Sequence, residues 1–257
     1  MSMFEPLRGA FRLSVASIGL FFVSAWHTAY AQALPSAAEL QQLAPSASLS
    51  TLALALTAYA CASHSDANKL LTVIDYSKAS RDKRLWVFDL RARKLLFEEW
   101  VAHGKNSGAD VPTTFSNAPN SYQSSIGLYE TGQTYSGKHG RSLRLQGLEP
   151  GFNDNSMSRA IVMHAAAYAD PKVVPGLGRL GRSQGCPAVR PAIAGKLIET
   201  LQRGSYVFAY YPQQNWLKTS RFLNAQSARW PTSRSPVSNS INRQTSTALV
   251  GAALRRV

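Results

Sequence analysis

Residues Leu70–His103 read LLTVIDYSKASRDKRLWVFDLRARKLLFEEWVAH. Three runs stand out within them: LLTVIDY (Leu70–Tyr76), RLWVFDL (Arg84–Leu90) and KLLFEEWVAH (Lys94–His103). Each is rich in β-branched and aromatic residues, and short charged turns such as RARK separate them. Runs of this length and composition predict consecutive antiparallel strands. Toward the C terminus, SIGLYE (Ser125–Glu130), SLRLQGL (Ser142–Leu148), RAIVMHA (Arg159–Ala165) and SYVFAYY (Ser205–Tyr211) add further strand candidates. PAIAGKLIETLQRG (Pro191–Gly204) reads as a helix, with Pro191 in its first turn and Gly204 past its end. Its Ile193, Leu197, Ile198 and Leu201 share one face. Between His103 and Ser125 runs HGKNSGADVPTTFSNAPNSYQSS, a Gly/Ser/Asn/Pro stretch whose length inside a domain marks a functional or mobile loop. The expected fold class is α+β, a mostly antiparallel sheet domain over residues 66–212. There is no internal repeat and no glycine pattern for dinucleotides or phosphates.

Upstream, SAAELQQLA (Ser36–Ala44) places Ser36 and Glu39 at capping-box spacing, and Pro45 stops that helix. A second helix is expected over Ser50–Ala62, so residues 32–65 form a helical N-terminal segment. Residues 1–31 have the layout of a secretory signal peptide. Arg8 and Arg12 precede the apolar run LSVASIGLFFVSAW (Leu13–Trp26), and small residues stand at Ala29 and Ala31. That run has 14 residues, short of the ~20 of a membrane span. The expectation is export with cleavage after Ala31, a retained signal anchor being the alternative.

The 257-residue chain carries 28 Lys and Arg against 14 Asp and Glu, a net charge of +14. Lys218, Arg221, Arg229, Arg234, Arg243, Arg255 and Arg256 supply half of that excess within residues 213–257, a segment without Asp or Glu. Its Ser, Asn, Gln and Thr content predicts a disordered basic tail. For an exported chain its counter-charge is an anionic envelope polymer rather than nucleic acid.

Two cysteines, Cys61 and Cys186, sit in contrasting contexts. Export makes one structural disulfide the bland expectation. Cys61 lies in the apolar run LSTLALALTAYACAS, where cysteine acts as a small hydrophobe. Cys186 lies in GRSQGCPAVR (Gly181–Arg190), among residues that suggest no burial. A nucleophilic thiol needs positive charge to favour its thiolate, a base, and donors for an oxyanion. Arg182 and Arg190 flank Cys186, the helix starting at Pro191 follows, and the Gly185 and Cys186 amides are candidate oxyanion donors. Among the histidines, His103, His139 and His164 lie in the sheet domain. His164 ends an apolar strand about twenty residues before the cysteine and is the candidate base. A zinc site built from these histidines and Cys186 is a rival, but no close ligand pair announces it.

The stretch MHAAAYADPKVVPGLGRLGRSQGCPAV (Met163–Val189) resembles the active-site region of the YkuD-like L,D-transpeptidases, in the branch of the murein L,D-transpeptidase catalytic domain. That family sets a strand-end histidine before Ser-x-Gly-Cys, and His164, Ser183, Gly185 and Cys186 fill those places. The likeness extends through VAHGKNSG, YETGQTYSGKHG and RAIVMH, over about Val73–Tyr210. Two positions depart from it: Ala165 stands where the broader family usually has glycine, and Ala188 where it has arginine. Arg182 or Arg190 would then have to bind a substrate carboxylate.

The resemblance implies a periplasmic enzyme, soluble or peripheral to the wall, without cofactor or metal. Its partners would be peptidoglycan stem peptides, as donor and as acceptor. Cys186 would attack the third-residue carbonyl of a stem tetrapeptide and expel D-alanine. His164, oriented by a backbone carbonyl, would manage the proton, and a neighbouring stem's amine would resolve the thioester into a cross-link. Ser183, Gly185, Arg182, Arg190 and His139 are the expected substrate-binding or oxyanion residues. Water as acceptor would give an L,D-carboxypeptidase, and a Cys61–Cys186 disulfide would give a non-catalytic envelope-binding module.

Overall fold

A computed structural model describes residues 33–63 and 70–224. The signal-peptide reading of residues 1–31 and the basic tail beyond residue 224 lie outside the described residues. Two helices open the described chain, α1 (Ala37–Leu43) and α2 (Leu49–Ala62). The α1 cap is the expected box: Ser36 accepts from the Glu39 N–H, and Glu39 accepts from the Ser36 N–H. Eight strands follow, β1 (Leu70–Asp75), β2 (Leu85–Asp89), β3 (Lys94–Glu99), β4 (Gly127–Gly137), β5 (Gly140–Gly147), β6 (Val162–Ala165), β7 (Ala188–Val189) and β8 (Tyr206–Tyr210). The remaining α-helices are α3 (Val174–Leu177), α4 (Pro191–Leu201) and α5 (Gln214–Thr219).

The strands make one sheet in the order β3-β2-β1-β8-β4-β5-β6-β7. Neighbours run antiparallel except β1–β8 and β6–β7. The strand nearest the C terminus, β8, is thus inserted between β1 and β4. Beyond β3 the chain returns to the opposite edge, where the Ala102 N–H donates to the Ala188 carbonyl at 2.8 Å. The two edges therefore meet, and the sheet nearly closes on itself. Closure leaves few unpaired edge groups.

Helices cover both faces, which explains why β1 and β2 read as continuous apolar runs. On β2, Trp86 and Phe88 face a core with Leu40, Leu52, Tyr59, Phe208 and Trp216. The intervening Leu85 and Val87 face a second core, where α4 contributes Leu197, Ile198 and Leu201. The period-2 alternation of a strand thus assigns its residues to two layers.

The expectation of a loose tail from Gln213 is corrected for residues 213–224. Helix α5 packs Trp216, fully buried, against Phe208 and Tyr210, at ring-centroid separations of 5.6 and 6.2 Å. Phe222 is buried beside it. Two aromatic anchors outweigh the polar average of the segment, because each brings a large apolar area.

Candidate active site

The cysteine loop is held at the seam where the sheet closes. Arg84, fully buried, donates to the Val101 and Lys78 carbonyls and, at 2.8 Å, to Nδ1 of buried His103. Burial and the adjacent guanidinium push the His103 pKa down to about 3, so this imidazole is neutral at physiological pH. Its carbonyl accepts the Ser183 N–H at 2.9 Å, and the Lys105 N–H reaches the Ser183 carbonyl at 2.8 Å. His103 is therefore a buried brace beneath the cysteine loop. Held by Arg84, it does not join His139 and His164 on the cleft wall.

The Gly185–Cys186 turn is locked from several sides. Ser183 Oγ donates to the Cys186 carbonyl at 2.7 Å and accepts the Gly185 N–H at 3.0 Å. Ser124 Oγ donates to the Gly185 carbonyl at 3.0 Å. Gly185 adopts φ +125°, and a Cβ there would lie 2.8 Å from the Gln123 carbonyl oxygen. Only glycine tolerates both conditions. The expected role of the Gly185 amide as an oxyanion donor is corrected, since Ser183 already occupies it. The Cys186 amide, by contrast, has no hydrogen-bond partner among the described residues, so of the two expected donors it is the one not engaged.

Strand register brings the histidine to the cysteine. β6 pairs with β7 so that His164 lies opposite Ala188, two residues beyond Cys186. His164 and Cys186 line one cleft of about 480 Å³, together with His139, Arg159, Tyr168 and Arg182. His164 Nδ1 lies 2.9 Å from the Ala165 carbonyl. An acceptor there requires Nδ1 to carry the proton, which leaves the Nε2 lone pair free. His139, in the turn between β4 and β5, stacks on His164 with ring centroids 4.3 Å apart. Burial lowers the His164 pKa despite the Ala165 carbonyl, and His139 and Lys138 add to that shift.

Cys186 Sγ accepts the Val162 N–H at 3.5 Å and lies 3.7 Å from the Ala160 carbonyl oxygen. Burial raises its pKa; the Val162 N–H, Arg159 and Lys138 oppose the rise without cancelling it. The resting cleft thus holds a neutral thiol and a neutral imidazole. Of the arginines expected to favour the thiolate, Arg190 is directed elsewhere. Its Nε and Nη2 grip the Glu99 carboxylate at 2.8 and 2.6 Å, and it does not line the cleft. The role assigned to Arg190 is corrected accordingly: a carboxylate within reach captures the guanidinium bidentately. Replacing Arg190 with alanine is expected to lower stability by about 1–2 kcal/mol while leaving the alkylation rate of Cys186 unchanged. Thermal denaturation beside timed alkylation checks both halves. Arg182 does line the cleft, but Nη1 is bound to the Lys105 and Gly108 carbonyls.

Sequence reasoning missed Arg159 and Lys138. Arg159 sits between the Ser156 turn and β6, a position with no helical or strand pattern to mark it. The disulfide alternative also fails on structure: both cysteines are free. Cys61 on α2 packs against the first core, Cys186 against the second. The long 103–125 stretch is an ordered wall, tied to the cysteine loop by Ser124 and to Arg159 by the Ser116 and Gln123 carbonyls.

Residues 43–210 match the family described as the L,D-transpeptidase catalytic domain. Among solved structures, similarity extends to an L,D-transpeptidase from Mycobacterium smegmatis, at 13% identity over 56% of this chain and 59% of that one, with a TM-score of 0.35. An L,D-transpeptidase from Mycobacterium tuberculosis is 18% identical over 56% of this chain and 58% of that one, with a TM-score of 0.33. One from Stackebrandtia nassauensis is 16% identical over 67% and 75%, with a TM-score of 0.32. No curated protein matches the chain. The first of these structures is longer than the region matched, this chain spanning about three fifths of its length. Because the family match takes in the sheet, the histidine strand and the cysteine loop together, this chain belongs to the L,D-transpeptidase catalytic domain family.

Proposed function

We propose that the protein is an exported peptidoglycan L,D-transpeptidase that works through a Cys186 acyl-enzyme. The observation that carries this reading is that Cys186 and His164 line one cleft, with His164 Nδ1 committed to the Ala165 carbonyl. That commitment leaves Nε2 to take the thiol proton. In the first half-reaction Cys186 Sγ bonds to the third-residue carbonyl carbon of a stem tetrapeptide. The developing oxyanion takes the Cys186 N–H, the D-alanine amine leaves with the proton held by His164, and a thioester remains. In the second half, the side-chain amine of another stem attacks the thioester. Its proton passes to His164, the C–S bond breaks, and the thiol is regenerated as the new amide forms. Among the described residues no Asp or Glu lines the cleft, while Lys138, Arg159 and Arg182 do, which suits a donor carrying free carboxylates.

The test is incubation of purified protein with tetrapeptide muropeptides, followed by intact-mass and product analysis. An adduct equal to the donor minus D-alanine, with cross-linked dimer, supports the reading. Tripeptide as the sole product makes the protein a carboxypeptidase, and absence of any adduct or product overturns acyl transfer. The thiol's state gives a separate expectation. Because burial raises the Cys186 pKa, its thiolate fraction at pH 7 falls below that of a free cysteine, whose pKa is ~8.5. Alkylation of Cys186 by iodoacetamide should therefore still be climbing above that pH, and a plateau reached by pH 7 contradicts a neutral resting thiol.

A further inference from the structure

We infer that Arg159 is the positioning residue of the nucleophile, fixing the cleft wall against the cysteine turn and supplying the standing positive charge that the Cys186 thiolate meets. The inference rests on Cys186 being the nucleophile and adds a residue that the motif does not contain.

Three observations meet at Arg159. Its Nη1 donates to the Ser116 carbonyl at 2.7 Å and to Ser125 Oγ, and its Nη2 donates to the Gln123 carbonyl at 2.6 Å and to Ser121 Oγ at 3.1 Å. One guanidinium therefore ties both ends of the 116–125 wall together. Second, Nη2 would lie 3.4 Å from a Cβ placed on Gly185, so the charge rests against the residue preceding Cys186. Third, all four acceptors are neutral. Among the described residues Arg159 makes no salt bridge, whereas Arg81, Arg93 and Arg190 each have a carboxylate. A half-buried cation without a counter-ion costs desolvation energy and keeps its full field. The anion that forms beside it is the thiolate.

Other charged and titratable groups surround the same cleft. Lys138 and His139 approach from the β4–β5 turn, His164 from β6, Tyr168 from the short helix after β6, and Arg182 from the cysteine loop. Tyr76 acts from beneath the loop. Burial holds Tyr76 and Tyr168 neutral, with pKa values of about 12. Lys138 and His139 are exposed, so solvent screens them more than Arg159. Arg182 is bound to two loop carbonyls.

The experiment is the pH profile of Cys186 alkylation by iodoacetamide, resolved by peptide mapping, in wild type, Arg159→Lys and Arg159→Gln. Thermal denaturation of each variant runs alongside. Arg159→Gln is expected to move the profile upward by about one pH unit, a roughly tenfold slower reaction at fixed pH. Arg159→Lys keeps the charge while losing wall contacts, so it should stay near the wild-type profile with a lowered melting temperature. Equal displacement of both profiles, or no displacement of either, overturns the inference.

A wild-type measurement stands should Arg159→Gln not fold. The ratio of iodoacetate to iodoacetamide rates at Cys186 is compared with that of N-acetylcysteinamide. A ratio several-fold higher, retained in Lys138→Gln, supports the inference. A ratio no higher than the free thiol's, or one abolished by Lys138→Gln, overturns it. Alkylation reports on the thiol whether or not the protein turns over a muropeptide, so failure of the transpeptidase reading would be seen separately.

Discussion

Replacing Cys186 with alanine should eliminate the acyl-enzyme adduct and lower turnover of a stem tetrapeptide by about 10³-fold or more. On the proposed mechanism the sulfur is the atom that bonds the carbonyl carbon, and no neighbouring group replaces it. Ser183, the closest hydroxyl in sequence, is occupied by the Cys186 carbonyl and the Gly185 N–H. Intact-mass spectrometry and chromatography of the products check this. Activity retained in Cys186→Ala would remove the thiol from the mechanism. The fold should persist, since one small side chain replaces another of similar size.

The second large effect lies far from the cleft. Trp216→Ala should destabilise the protein by about 3–5 kcal/mol, read by chemical denaturation. The indole is fully buried against Phe208 and Tyr210, so its removal leaves a cavity beneath β8. β8 pairs with both β1 and β4, which makes that cavity a defect at the centre of the sheet. Relative to a chain ending after Asn224, one ending after Pro212 should be less stable by at least as much as Trp216→Ala costs. Equal stability of the two truncations would contradict a structural role for α5.

What could be read from the sequence follows the physics of each element. α1, α2, α4 and the strands β1, β2 and β8 carry strong local signals: a capping box, Pro191 at a helix start, and apolar runs of strand length. α5 was hidden because Trp216, and Phe222 just beyond the helix, are diluted by polar neighbours. β7 has two residues and exists only through pairing with β6 and Ala102, a contact no local pattern encodes. The site divides similarly. Cys186 and His164 stand out as candidates because chemistry restricts which residues can serve, and the structure sets both in one cleft. The arginines were not: sequence proximity favoured Arg190, which Glu99 from β3 captures, over Arg159, which is 27 residues away along the chain. Charge acts through space, so adjacency along the chain predicted it poorly.

The meeting of the sheet's two edges has a consequence for how the enzyme would lose activity. Ala102 and Ser183, whose amides stitch that junction, lie on the segments bearing His103 and the nucleophile. Local opening there would release the cysteine loop from its His103 brace while both cores stayed intact. Deuterium uptake at those two amides would then track inactivation on warming, ahead of the cooperative melt.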